Sequence, residues 1–153
     1  MAGAWARGVR FGVDVGEVRV GVAVCDPDGV LATPLTTLAR DRNPGKEAVP
    51  SDISELSRLV AAYGTVEVVV GLPVTLAGTE GSAAAQARAY AERLAAVIAP
   101  VPVTLADERM STVVATRRLS ERGVRGRRQR MVVDQVAAAE ILQGWLDGQR
   151  RRT

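Results

Sequence analysis

Residues 9–15 and 19–25 are two short apolar stretches separated only by Gly16-Glu17-Val18. A connection of three residues can join two strands only as an antiparallel hairpin, because a parallel return needs a crossover of a dozen residues or more. The hairpin therefore starts a sheet. Asp26-Pro27-Asp28-Gly29 is a turn by composition. A third strand follows at 30–38, in which Pro34 suggests an edge position or a break. Residues 40–50 are polar, contain Pro, Gly and Asn, and read as a mobile loop.

The pattern then changes to alternation. Ser51 is a plausible N-cap for a helix with Glu55 near its first turn and Ile53, Leu56, Leu59 and Val60 as its apolar stripe. Residues 66–71 form a β-branched run suited to a strand buried on both faces. Residues 79–98 are alanine-rich and helical, 101–106 form another buried strand, 111–121 form a helix stopped by Gly123, and 131–146 form the last helix. Three meandering strands followed by strand–helix alternation imply an α/β chain with a mixed five-stranded sheet and helices on both faces. No repeat or internal linker interrupts it. The expectation is one domain over 1–153, with a core at about 9–147 and a basic tail at 148–153.

The chain has 153 residues, 47% hydrophobic and 24% charged, enough to bury a core without staples. Its longest apolar runs, such as 66–72, are too short to cross a bilayer. The opening MAGAWARG lacks the apolar segment of a signal peptide, so a cytoplasmic, non-membrane protein is expected. The single cysteine, Cys25, rules out an internal disulfide, fits a reducing compartment and reads as a small apolar strand residue.

There is no histidine. That removes Ser-His-Asp and Cys-His catalysis, histidine-dependent nucleases, HExxH metalloproteases and, with one cysteine, ordinary zinc sites. Any acid, base or metal chemistry must come mainly from carboxylates, whose oxygens select Mg²⁺ or Mn²⁺.

Three acids are placed unusually. Asp14, in Phe11-Gly12-Val13-Asp14-Val15-Gly16, is a carboxylate inside an apolar strand. Such a group is costly unless paired or metal-bound. Strand alternation sets Gly12, Asp14 and Gly16 on one face, where the glycines leave room for a metal or a phosphate backbone. The plainer reading is an Asp that caps a strand-end turn. Glu108 follows a buried strand, in Asp107-Glu108-Arg109-Met110-Ser111-Thr112, at a strand end where functional residues gather. Its plainer reading is a solvated loop with Ser111 capping the next helix. Asp134 shares the core-facing stripe of the last helix with Ala138, Ile141 and Trp145, and Ala137 and Ala138 allow that helix close to the sheet. A first-turn Asp also suits the helix dipole. If the first strand is central, the three acids converge, and carboxylates that converge need cations between them. That suits two metals about 4 Å apart and phosphodiester hydrolysis.

The base composition is consistent with a phosphate partner. Of 20 basic residues only Lys46 is lysine, although an arginine-biased genome gives the same result. Arg117, Arg118, Arg122, Arg125, Arg127, Arg128 and Arg130 face only one acid, Glu121, in their stretch. They read as phosphate contacts or as a solvated surface. Thr79 opens the helix after Gly78, so the loop of residues 71–81 can meet an anion at a helix N-terminus.

Gly12-Val13-Asp14-Val15-Gly16 followed by Arg19-Val20-Gly21-Val22-Ala23-Val24 resembles the opening of the YqgF (also called RuvX) family. Gly71-Leu72-Pro73, Gly78-Thr79-Glu80-Gly81, Asp107-Glu108-Arg109-Met110-Ser111-Thr112 and Val133-Asp134-Gln135-Val136-Ala137-Ala138 match its later motifs in order. The resemblance covers about residues 9–147. It implies a ribonuclease-H-like fold similar to that of Holliday-junction resolvases. It also implies a nuclease assigned to maturing the 5′ end of pre-16S ribosomal RNA in ribosome biogenesis. It places Asp14, Glu108 and Asp134 on the family's acidic triad, holding Mg²⁺ or Mn²⁺. Arg19, Gly78, Thr79, Arg109, Ser111, Thr112, Arg125, Arg127, Arg128 and Arg130 are the expected substrate contacts. The chain departs from the family pattern at Val18, where a basic residue is usual, and at Thr75-Leu76-Ala77-Gly78, where Asn-Met-Asp-Gly is usual.

Three rivals stand beside this reading. Actin-like ATPases and sugar kinases also open on an Asp-x-Gly hairpin, but they need two such domains, and Lys46 lacks the glycine spacing of a phosphate loop. A non-catalytic RNA-binding or ribosome-assembly factor would not need an intact triad. A Holliday-junction resolvase would act on branched DNA as a two-fold dimer, and no dimer face is evident, so a monomer or weak homodimer is expected. The few aromatics are scattered and make no base-stacking platform.

Overall fold

The computed structural model describes residues 5–45, 48–75, 77–108 and 127–152. Its elements are β1 (Arg10–Val15), β2 (Arg19–Cys25), β3 (Ala32–Ala39), α1 (Ser51–Tyr63), β4 (Glu67–Leu72), α2 (Ser82–Ile98), β5 (Val103–Asp107) and α3 (Arg127–Arg152). The five strands form one sheet in the order β3-β2-β1-β4-β5, so β1 is central. β1 with β2 and β2 with β3 are antiparallel, and β1 with β4 and β4 with β5 are parallel. This is the mixed sheet expected from three strands followed by strand–helix units.

Alternation along the strands makes the two faces unequal. Phe11, Val13, Val20, Val22, Val68 and Val70 point one way and meet Ile53, Leu56 and Val60 of α1 and Tyr90, Leu94 and Ile98 of α2. The other face carries small residues, including Ala23, Cys25 and Ala106, and packs against Ala138, Ile141, Leu142 and Leu146 of α3. Burial pushes the Cys25 thiol up, as befits a packing residue rather than a nucleophile.

Glycine adjusts the spacing on the α3 face. A Cβ on Gly12 would stand 2.6 Å from Leu142 Cβ and 2.7 Å from the Ala138 carbonyl oxygen. The space that the sequence suggested for a metal or phosphate beside Asp14 is thus taken at Gly12 by the helix. α3 is tied to the β3 side of the sheet by Thr37 Oγ1 donating to the Met131 carbonyl (2.7 Å) and by Gln143 Oε1 accepting from the Ala32 amide (2.9 Å). At the far end of the sheet Arg10 pairs with Glu67 (2.9 Å) and lies 3.8 Å over the Trp5 ring, with Trp145 beyond.

β3 is an edge strand, as Pro34 suggested. Val22 faces Thr36 while the next residue, Ala23, faces Pro34, so Leu35 is an extra residue that bulges the edge. The expected turn at Asp26 is present: Gly29 adopts φ 67°, and the Asp26 carboxylate accepts from the amides of Asp28, Val30 and Leu31.

The strand limits differ from the sequence reading by at most two residues, and the helix boundaries differ in more telling ways. Ser51 is not an N-cap but the first residue of α1. Pro50 occupies the cap without a side-chain bond, and Ser51 donates its amide to Asp41 Oδ2 (3.0 Å). α2 starts at Ser82 rather than 79. Val74, Thr75 and residues 77–80 fold back on one another instead: Gly78 has φ 85°, the Thr79 amide donates to Thr75 Oγ1 (3.0 Å) and Val74 bridges to Glu80. α3 is longer than 131–146 at both ends. The helix expected at 111–121 and its stop at Gly123 lie outside the described residues. Among the described residues no helix is long and apolar enough to cross a membrane.

Candidate active site: three carboxylates on one face of the sheet

Asp14 is the penultimate residue of β1 and faces Gly21 across the hairpin. Gly21 decides what lies above it. A Cβ there would be 2.1 Å from the Asp134 carbonyl oxygen and 3.2 Å from Asp134 Cβ. Only glycine lets the first half of α3 settle directly on the sheet here, and the contact seats Asp134 over the strand partner of Asp14. Glu108 arrives from the other side. It follows the last residue of β5, and a Cβ on Gly71 of β4 would stand 2.7 Å from Glu108 Oε1. Because Val70 pairs with Val13 in parallel register, Gly71 is level with Asp14. Glu108 thus folds over β4 toward the central strand.

All three acids are buried, with 4% (Asp14), 7% (Glu108) and 6% (Asp134) of their surface exposed. They occupy one face at the end where β1, β4 and β5 all terminate, the usual place for a site on such a sheet. Among the described residues, no three His, Cys, Asp or Glu side chains are gathered closely enough to hold a metal ion. The three acids that the sequence singles out lie on one face and at one end of the sheet. The chemistry of the donor set is nonetheless that of a hard divalent cation, since every donor is a carboxylate oxygen.

Part of the charge is answered from within the protein. Arg19 Nε donates to Asp134 Oδ2 at 2.6 Å, with the arginine side chain 25% exposed. Arg19 was expected as a substrate contact, and its partner across 115 residues of sequence was not foreseen. Val18 beside it is an exposed hydrophobic at the hairpin tip.

The remaining expected contacts fall into three groups. Gly78 and Thr79 stand in the turn after β4, and not at a helix N-terminus; the Thr79 amide is already donated within the turn. Arg130 is exposed in the first turn of α3. Arg127 and Arg128 belong to that same first turn, and their side chains are outside the description. Arg109, Ser111, Thr112 and Arg125 lie outside the described residues. What sequence reasoning missed was Gly21, whose signal was its position opposite Asp14 in a hairpin already inferred.

The sheet order and the carboxylate face define a protein of ribonuclease-H-like fold. Two solved structures of Thermus thermophilus RuvC superpose on the chain, one bound to a Holliday-junction substrate. They have TM-scores of 0.56 and 0.53 and 19% and 18% identity, covering 94% of this chain and 96% of theirs. The family model described as RuvX, Holliday junction resolvase, matches residues 8–148, so the chain belongs to the RuvX family. Curated relatives named “Putative pre-16S rRNA nuclease” support the same assignment. That of Rhodococcus erythropolis is 52% identical over 95% of this chain and 81% of its own length. That of Nocardia farcinica is 54% identical over 92% and 78%. That of Frankia casuarinae is 57% identical over 93% and 68%.

Proposed function

We propose that the chain is a divalent-metal-dependent nuclease that hydrolyses phosphodiester bonds in structured precursor ribosomal RNA, near the 5′ end of the 16S sequence, in the cytoplasm. The observation that supports the chemistry is the seating of Asp134 on Gly21, the strand partner of Asp14, which puts two buried acids from distant parts of the chain on the same face of the sheet, with Glu108 over the neighbouring β4. The substrate comes from the relatives' shared name.

Asp14, Glu108 and Asp134 are the residues that would hold Mg²⁺ or Mn²⁺. When bound, such ions activate water and stabilise the departing oxygen of a phosphodiester. The chain's own contribution is placement. Asp14 is fixed on a strand paired on both sides, Asp134 on a helix seated against glycine, and Glu108 on the end of β5. Burial keeps the three acids from solvent and makes a cation their natural partner. Arg19 and the arginines at 125, 127, 128 and 130 would grip backbone phosphates. Few aromatics are available to hold splayed bases, so the RNA would be selected by shape.

A second reading, cleavage of branched DNA, is favoured by the family description and by the RuvC fold. Purified protein offered a pre-16S RNA fragment and a four-way DNA junction in the same Mn²⁺ buffer separates them. Faster cutting of the RNA, near the mature 5′ end, supports the proposal. Faster cutting of the junction, with normal rRNA ends in cells depleted of the protein, supports the resolvase.

A further inference from the structure

Arg19 begins β2, and its backbone is held on both sides. Its carbonyl accepts from the Gly16 amide (2.9 Å), and it pairs with Ala39 of β3. Alternation from Gly21 puts its side chain on the α3 face, where Nε meets Asp134 Oδ2. A guanidinium has five donors, so this bond leaves the two terminal amino groups of the fork for other acceptors. Three buried carboxylates on one patch repel each other unless a positive charge stands among them. Arg19, 2.6 Å from Asp134 Oδ2, is such a charge. A guanidinium and a divalent ion on the same carboxylate also repel, so both cannot hold Asp134 at full strength.

We propose that Arg19 is an internal competitor for the metal. Its guanidinium holds Asp134 while the site lacks an ion, is displaced as the ion binds, and is then released toward the substrate phosphate. The inference rests on the metal-dependent reading above. It accounts for an arginine bound to a site carboxylate at a position first read as a substrate contact. Arg19 is a positioning residue with two successive partners, Asp134 and then phosphate, both of which suit its planar fork.

Calorimetric titration of Mn²⁺ into the metal-free protein tests this without any cleavage assay. Arg19→Gln is expected to bind Mn²⁺ about fivefold to tenfold more tightly than wild type, because no competitor has to leave. The same variant is expected to melt earlier without metal and to gain more from added Mn²⁺. Arg19→Lys keeps the charge, loses the Nε donor and should fall between the two, which preserves the test if the glutamine variant folds poorly. Arg42→Gln serves as the field control. It removes an exposed arginine that donates to the Glu17 carbonyl on the same hairpin, and it should change affinity by no more than about twofold. Asp134→Asn should bind Mn²⁺ weakly. If Asp134→Asn loses binding while Arg19→Gln matches wild type or is weaker, the competitor role is overturned and the metal site stands. If Arg42→Gln tightens binding as much as Arg19→Gln, only the general field is acting and the inference also fails. If wild type takes up no Mn²⁺, the metal-dependent reading and the inference fall together.

Discussion

The carbonyl oxygen of Asp134 lies where a side chain on Gly21 would have to be, 2.1 Å from the position of its Cβ. The Gly21–Asp134 contact joins the second strand to the last helix at the strand partner of Asp14. Gly21→Ala must therefore lift the start of α3 or bend β2. Overpacking of this kind costs about 1–3 kcal/mol, and more against rigid backbone. The variant should melt well below wild type, and below its melting range it should still cut poorly, because Asp134 is displaced. Normal cutting by a folded Gly21→Ala protein would detach the site from this contact.

A second prediction concerns the arginines at 125, 127, 128 and 130. Neutralising them together should weaken RNA binding to a similar degree across sequences and flatten its dependence on salt by up to about one slope unit per lost phosphate contact. Filter binding over a range of salt concentrations reads both quantities. An unchanged slope would make these residues a solvated surface.

Asp52 is nearly fully buried and accepts from the Tyr90 hydroxyl (2.6 Å) and the Asp41 amide (3.1 Å). Burial, followed by the Asp52 carboxylate, pushes the Tyr90 phenol well above the ordinary tyrosine range. Tyr90→Phe should cost about 1–3 kcal/mol, since it leaves a buried carboxylate oxygen without its donor. It should leave Mn²⁺ affinity unchanged, because this cluster packs on the face opposite the site. The sign of the pH effect follows from the raised pKa. The neutral phenol favours the folded state, so stability is intact below the unfolded tyrosine value of about 10 and declines as the pH rises above it. Alkaline melts of wild type and Tyr90→Phe should converge. Parallel curves would contradict the burial of a protonated phenol.

Asp26 behaves oppositely. Its backbone partners, Leu31 first, hold its carboxyl below the usual aspartate value. A lowered folded pKa means stability that is present above the unfolded value of about 4 and lost as the pH falls through the folded one. Asp26→Asn should therefore reduce the acid sensitivity of melting in that range, measured by circular dichroism between pH 6 and pH 2. An identical acid profile would show that the turn does not depend on the charge.

The legibility of the sequence was uneven for physical reasons. The hairpin followed from its short connection, the edge strand from Pro34, and the parallel core strands from continuous apolar runs suited to burial on both faces. The three acids stood out because a charge in an apolar strand, at a strand end or on a core stripe needs explanation. Boundaries failed where a tertiary partner replaced a local one. Ser51 lost its capping role to Pro50 once Asp41 took its amide, and the Thr79 helix start gave way to a turn closed by Thr75. The glycines beside Asp14 suggested room for a ligand. Gly12 instead makes room for Leu142, and no local pattern reveals which helix will descend on it. The Arg19–Asp134 bond was invisible for the same reason. Scattered Trp5 and Trp145 proved to flank Arg10, a packing role that sequence spacing does not encode.

The central claim is that Asp14, Glu108 and Asp134 act as one catalytic set. The most direct measurement is the Mn²⁺-supported cleavage rate of an end-labelled pre-16S RNA fragment by wild type, Asp14→Asn, Glu108→Gln and Asp134→Asn, each first shown to be folded by thermal melting. Each substitution keeps the shape and removes one charge, so each should lower the rate by about a hundredfold or more, and all cleavage should stop in excess chelator. Cleavage within about a tenth of wild type by any one folded variant would remove that residue from the set, and cleavage that persists unchanged in chelator would contradict the metal-dependent mechanism itself.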